Sequence, residues 1–251
     1  MLEPLDNAQG RPSDELLEPP KNSIIMIMKK TFYLFIFMAL AGLFLAGQAQ
    51  AHQPRIVSGQ ETAVQNPEIS QAFYGELKGQ PQLFEINSEN DFVLYVNILV
   101  PDLPGANKGI KADIYRIENG DQQLVAELGG ENFDWSKFFE PFGGDSYLKG
   151  PEYREQAEKG RYLVSVSSSQ NSGKYSLAIG SQESFPLKEI LKTIALLPVL
   201  KMDFFERSPL TAYFNYTGLF LLGTLIILFL AIFLVIKLAK KLRKKDNPVT
   251  F

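Results

Sequence analysis

Cysteine is absent from this chain of 251 residues, which excludes a disulfide framework and any thiol nucleophile. An exported domain without disulfides has to rely on an ordinary hydrophobic core. About 160 residues are enough to build one. The lack of cysteine also leans toward a bacterial envelope rather than a small eukaryotic secreted module. Histidine is nearly absent too, since His52 is the only one. A Ser-His-Asp triad would need that ring as its base. A copper site built on an N-terminal histidine would need a second histidine. No closely spaced set of Cys, His and carboxylates offers a zinc site. No glycine-rich loop followed by Lys-Ser/Thr offers a phosphate cradle. A pair of carboxylates acting on glycosides stays open, because two acids suffice for that chemistry. The chain has no cleft signature to go with such a pair, so a non-enzyme is the preferred reading. The formal net charge is −3, and a strongly basic C-terminal tail leaves the remainder acidic. An acidic domain argues against nucleic acid as a partner.

Long apolar runs are confined to the two ends. Thr217–Ile236 reads TGLFLLGTLIILFLAIFLVI, without a charge. As a helix that stretch is about 30 Å long, the thickness of a bilayer's hydrocarbon core. Lys237, Lys240, Lys241, Arg243, Lys244 and Lys245 follow it, and such a cluster favours the cytoplasmic side. Near the other end, Met28-Lys29-Lys30 is a basic n-region and Thr31–Leu45 an apolar h-region. Ala49 and Ala51 supply an A-x-A site, predicting a signal peptide cleaved before His52. Residues 1–27 are acidic and proline-rich. They read either as an extension upstream of a true start at Met28 or as a disordered tail, in which case the apolar run would stay as an uncleaved anchor, although it is short for a span. The expected order is an extension over 1–27 and a signal peptide over 28–51. An extracytoplasmic domain over 52–185 and a juxtamembrane segment over 186–212 follow. A transmembrane helix over 213–236 and a cytoplasmic tail over 237–251 complete the chain. The localisation that follows is a cell membrane, with the N-terminal domain outside and the C-terminus inside.

Between the apolar ends the period is two. Phe92, Leu94, Val96 and Ile98 alternate with Val93, Tyr95, Asn97 and Leu99, so this strand is buried on one face and partly on the other. Further strands are predicted at Ile69–Leu77, Leu83–Asn87, Ala112–Glu118, Gln123–Leu128, Tyr162–Ser167 and Lys174–Ile179. Asn119-Gly120-Asp121 predicts a hairpin, and Asn171-Ser172-Gly173 a second one. Six to eight short strands with no helical period between them predict an all-β ectodomain, an antiparallel β-sandwich or jelly roll.

Gly129–Gly160 interrupts this rhythm. It holds the only Trp, four Phe and two Tyr, and it reads as a long loop. Trp135, Phe139, Tyr147 and Tyr153 are the candidate partner-binding residues, with Phe133, Phe138 and Phe142 beside them. The alternative, and the preferred reading for most of these rings, is a cap over one open end of the sandwich. The acids Glu131, Asp134, Glu140, Asp145 and Glu152 are read as solvated loop charge. A Ca²⁺ site is the lesser alternative, since no D-x-D-x-D-G run is present. No other cofactor or metal is implied.

One stretch resembles a known family. Gly160, Tyr162 and Val166, then Gly173, Tyr175 and Leu177, are similar to the closing G-x-Y-x-x-x-V and G-x-Y-x-L strands of bacterial pre-peptidase C-terminal domains. Phe84-Glu85-Ile86-Asn87 and Asp91-Phe92-Val93-Leu94 resemble that family's opening pair. The resemblance covers about residues 80–180. It implies a non-catalytic accessory β-sandwich, often found beside secreted proteases or in adhesins. This chain departs from that setting, because a membrane helix follows in place of a protease domain.

Pro186–Leu197 places Leu187, Ile190, Leu191, Ile194 and Leu197 on one helical face, with Pro198 expected to end or kink the helix. Such a juxtamembrane amphipathic helix can pack under the sandwich, lie in the membrane interface or dock a membrane partner. Tyr213, Phe214 and Tyr216 form an aromatic edge at the membrane. Asn215-Tyr216-Thr217 matches a glycosylation acceptor, hard against the bilayer. The expected function is a single-pass, membrane-anchored binding or accessory module. Its partners would be the lipid bilayer and a membrane or envelope protein. A carboxylate-dependent envelope hydrolase and a structural spacer are the alternatives.

Overall fold

The computed structural model describes residues 52–245. The extension over 1–27, the signal peptide over 28–51 and the last residues of the tail, 246–251, lie outside the described residues.

Eleven strands form two packed sheets. They are β1 (Gln53–Ile56), β2 (Glu61–Val64), β3 (Gln71–Lys78), β4 (Gln82–Ser88), β5 (Phe92–Pro101) and β6 (Lys111–Glu118). The remainder are β7 (Asp121–Leu128), β8 (Ser136–Glu140), β9 (Asp145–Ala157), β10 (Gly160–Ser167) and β11 (Ser172–Ile179). One sheet has the order β1-β3-β11-β5-β9-β8 and the other β2-β4-β10-β6-β7. The fold is a β-sandwich, as the period of two predicts. The pairing is antiparallel except at two edges, where β1 runs parallel to β3 and β2 parallel to β4. Expectation and structure differ there because short N-terminal strands fill open edges in whichever direction the chain arrives.

The Asn119-Gly120 turn behaves as its sequence requires. Glu118 pairs with Asp121, and both turn residues take positive φ, 53° and 93°. That is the signature of a two-residue hairpin turn whose twist matches its strands. The second predicted hairpin is not one. β10 is flanked by β4 and β6, whereas β11 is flanked by β3 and β5. The Ser168–Asn171 turn therefore carries the chain from one sheet to the other. β4 and β5, the second resembling pair, also lie in opposite sheets. Turn residues signal a reversal of direction but not the identity of the hydrogen-bonded neighbour.

The inter-sheet core follows the alternation. Phe92, Leu94, Val96, Ile98 and Val100 of β5 point inward with Phe73, Phe84, Ile86, Ile114, Val164, Val166, Tyr175, Leu177 and Ile179. Tyr95 and Leu99 point the other way, into a second apolar cluster on the outer face of the six-stranded sheet. That face is covered by the chain after β11. Helix α1 (Leu187–Val199) runs directly into a π-helical turn, Leu200–Phe204. A 3₁₀ turn, Pro209–Tyr213, follows and then helix α2, Tyr216–Lys245. Pro198 does not end α1. It removes the N–H that would have bonded Ile194 O, and the Tyr213 hydroxyl donates to that oxygen instead, at 3.0 Å. Helix α2 starts later than the predicted 213 and continues through the Lys/Arg cluster to Lys245. Its segment Tyr216–Leu234 is long and apolar enough to cross a membrane.

Candidate functional site

The region read as a long loop is mostly sheet. β8 and β9 form a hairpin in which Ser136 faces Lys149 and Glu140 faces Asp145. The 13-residue β9 continues alongside β5. The aromatic, glycine-rich composition concealed the strand, because β9 leaves regular register. A bulge at Gly150-Pro151 lies opposite Ile98, and the side-chain amide of the neighbouring Asn97 donates to Gly150 O and Pro151 O.

The four candidate partner-binding residues separate by exposure. Trp135 is buried in the inter-sheet core, and its indole N–H donates to Gly130 O at 2.9 Å. A Cβ on Gly150 would lie 2.7 Å from the Trp135 ring, so only glycine leaves room for it. Tyr147 is buried in the outer cluster, and Tyr153 is half-buried against the inter-sheet core. Phe139 is 60% exposed on edge strand β8. The structure does not bring the four to one surface.

Sequence reasoning missed the residues that organise this face. Lys201 is 1% exposed. Its ammonium donates to Asp145 Oδ1 at 2.5 Å and to Gly143 O at 2.7 Å. Arg207 lies 3.6 Å from the same carboxylate. Glu140 accepts from the backbone N–H groups of Phe142 and Gly143. Burial pushes both carboxyls above their ordinary range, against the pull of Lys201 on Asp145 and of the backbone donors on Glu140. Around this latch the rings pack edge to face: Phe204 on Tyr74, and Phe205 on Tyr147 and Phe204. The hydroxyls of Tyr74 and Tyr147 meet at 2.9 Å, and burial raises both pKa values. No local signal marked Lys201: Leu200–Phe205 carries Asp203 as well, and lysine is almost never buried unless paired, so the pairing with Asp145 had to be known first.

The same hairpin turn grips the head of α2. Tyr216 N–H donates to Pro141 O, and the Thr217 hydroxyl donates to Phe142 O. The Asn215 amide donates to Gly143 O and Ala212 O, so this side chain has a structural task. Phe142 meets Tyr216 edge to face, with centroids 6.2 Å apart. β9 sets the opposite end of the sandwich. It spans about 40 Å at the usual rise per residue, and the Glu158–Lys159 turn lies at its far end.

The acids of 129–160 do not converge on a cleft. Glu131, Asp134 and Glu152 are exposed. Glu140 and Asp145 are turned inward, onto backbone donors and Lys201. Among the described residues no group of three or more His, Cys, Asp or Glu is placed to hold a metal ion. His52 is partly buried with its Nδ1 against Ser70 Oγ, and burial lowers its pKa to about 4.

Comparison with known proteins adds little. No family model matches the chain, and no curated protein matches it. Among solved structures it is similar to the pre-peptidase C-terminal domain of a collagenase from Bacillus anthracis. That match has 13% identity and a TM-score of 0.31 over 49% of this chain and 96% of that one. It is also similar to a β-glucosidase from Paenibacillus barengoltzii, with 8% identity and a TM-score of 0.21 over 51% of this chain and 13% of that one. The class defined by the fold is a β-sandwich braced against the head of an apolar C-terminal helix.

Proposed function

We propose that this chain is a single-pass, membrane-anchored binding or accessory module. Its β-sandwich is held outside the cytoplasm against the head of its own anchor. The observation that carries this reading is the bracing. Lys201–Asp145 and the bonds from Tyr216 and Thr217 to the β8–β9 turn replace a flexible tether with a fixed attachment. A fixed orientation to the bilayer suits a subunit that must meet another membrane-bound chain at a set height and angle. The end bearing the Glu158–Lys159 and Asn119–Gly120 turns then points away from the helix head and is the surface offered to a partner.

Two measurements test the proposal. A reporter active only in the cytoplasm should work when fused after Phe251 and fail when fused after Gly180. The reverse pattern ends the anchoring model. The intact chain, purified from membranes in mild detergent, should bring down a membrane or envelope protein in fixed stoichiometry. Reversing the charge of Glu89 and Asp121, exposed at the far end and outside the ion pairs there, should reduce that recovery and leave the melting temperature nearly unchanged. Hydrolysis by the purified chain that depends on Glu140 or Asp145 would instead establish the enzyme alternative.

A further inference from the structure

Leu210 and Phe214 are 80% and 84% exposed, although they belong to an ordered segment rather than a loose linker. The Ser208 side chain caps the 3₁₀ turn, Phe214 N–H bonds to Thr211 O, and the Tyr213 hydroxyl ties the turn to α1. A fold that goes to this trouble to order two large apolar side chains in the open leaves their cover to something outside the chain. The distance to α2 says what that is. Phe214 stands two residues before Tyr216, where α2 begins, a reach of at most about 7 Å. The headgroup layer on each side of a bilayer is itself about 5–8 Å deep. Phe214 therefore sits within one headgroup depth of the point where α2 enters, and the 3₁₀ turn, at about 2 Å per residue, brings Leu210 within about 15 Å of it. Phe142, half-buried with its ring edge to face on Tyr216, is set at the same level, because Pro141 O and Phe142 O accept from the Tyr216 N–H and the Thr217 hydroxyl.

We infer that Leu210, Phe214 and Phe142 form a three-point lipid foot. They insert at the boundary between headgroups and acyl chains in the leaflet that α2 enters, and so seat the sandwich on the bilayer surface. The inference rests on the reading that α2 crosses the membrane. Residues from two separate parts of the sequence, one in the juxtamembrane turn and one in a β-hairpin, then act as a single contact. Lys201–Asp145 holds the two together from behind. Phe and Leu on the apolar face of an interfacial segment are buried about 5–10 Å into the boundary between headgroups and acyl chains.

The absence of cysteine makes the test direct. Full-length L210C, F214C and F142C would each be labelled with an environment-sensitive fluorophore and reconstituted into vesicles of phosphatidylcholine and phosphatidylglycerol. I226C inside α2 and L124C on β7 serve as controls, and the emission of Trp135 reports that each variant is folded. Lipids bearing a nitroxide near the headgroup should quench the three foot positions several-fold more than L124C, while aqueous iodide quenches L124C more than the foot. If I226C is quenched by lipid but the foot positions respond only to iodide, the foot is wrong and the spanning helix stands. If foot positions are shielded from both quenchers, a second copy of the chain covers them and the lipid assignment is overturned. If I226C itself is open to iodide, the spanning reading fails and the foot falls with it.

Discussion

The six-stranded sheet has its inner face buried and a patch of its outer face covered, and the two are covered by different means. Its inner face meets the other sheet through side chains that alternate along every central strand. Its outer face meets Leu200, Phe204 and Phe205, which lie about a hundred residues along the chain from Tyr95 and Leu99. The inner contact is spread over many strands and holds no charged side chain. The outer one is smaller and carries a buried ion pair, Lys201–Asp145, beside it. A sheet with one dry face and one face closed by its own C-terminal segment can couple the sandwich to whatever follows that segment. Here the apolar helix α2 follows.

The comparison makes unequal predictions. Val166 is fully buried between the sheets, and V166D places an unpaired carboxylate there at a cost of several kcal/mol. Set against a typical domain stability of about 5–15 kcal/mol, that should abolish cooperative folding, seen as loss of the near-ultraviolet signal. A variant melting within a degree or two of wild type would show that β10 does not form the inner face.

On the outer face, D145L alone leaves Lys201 charged and unpaired, and should cost about 3–5 kcal/mol. The double variant D145L/K201M removes both charges and should recover most of that loss. Hydrogen exchange should place the damage of the single variant in Leu200–Phe205 and the β8–β9 turn, with the inner strands protected. Equal deprotection of β10 would mean that the two faces are one cooperative unit.

Two of the candidate aromatics divide along the same line. W135A empties a core site and should cost about 3–5 kcal/mol. F139A changes an exposed side chain on an edge strand and should move stability by less than about 0.5 kcal/mol. If F139A nevertheless weakens partner recovery, the recognition surface includes β8.

Acid separates the two edges of the sheet. His52 lies at the start of β1, and its folded pKa is lowered from 6.5 to about 4. The neutral ring's full contribution to stability is present above pH 6.5 and is lost as pH falls through the folded value. The loss amounts to roughly 3 kcal/mol if fully expressed. Glu140, at the other edge, has a raised value and the opposite sign. Its contribution is fullest below the ordinary carboxylate range and fades as pH rises through the raised value. The melting temperature of H52Q minus that of wild type should therefore become more positive between pH 7 and pH 4.5. A flat difference would show that the ring is not held neutral by burial.

The inner face was legible in the sequence because strand burial has a period of two and needs no knowledge of the partner. Phe92 to Ile98 declare an inward face whichever strands lie beside them, and the odd positions Tyr95 and Leu99 already hinted at a second one. The Asn119-Gly120 turn was legible for an equally local reason, as positive φ at consecutive positions suits few residues. β9 was not legible. Its bulge, its glycines and its ring-rich composition look like a loop until β5 supplies a hydrogen-bonded neighbour. Nor was the membership of β10 and β11 in separate sheets, since a turn sequence sets a change of direction and leaves the choice of partner to the whole fold.

From its own pattern, then, the chain determined a two-layer β fold followed by a helix long and apolar enough to span a bilayer, because burial period and apolar length are properties of consecutive residues. Tertiary structure decided the site. Lys201 is an ordinary exposed cation on paper, and it becomes a buried latch only when Asp145 is brought to it from 56 positions away. Trp135 and Tyr147 resemble a recognition surface until both are found packed inside. The physical reason is the same in each case: the free energy of an ionised or aromatic group depends on what surrounds it, and those surroundings are assembled by strands that only the complete fold makes neighbours.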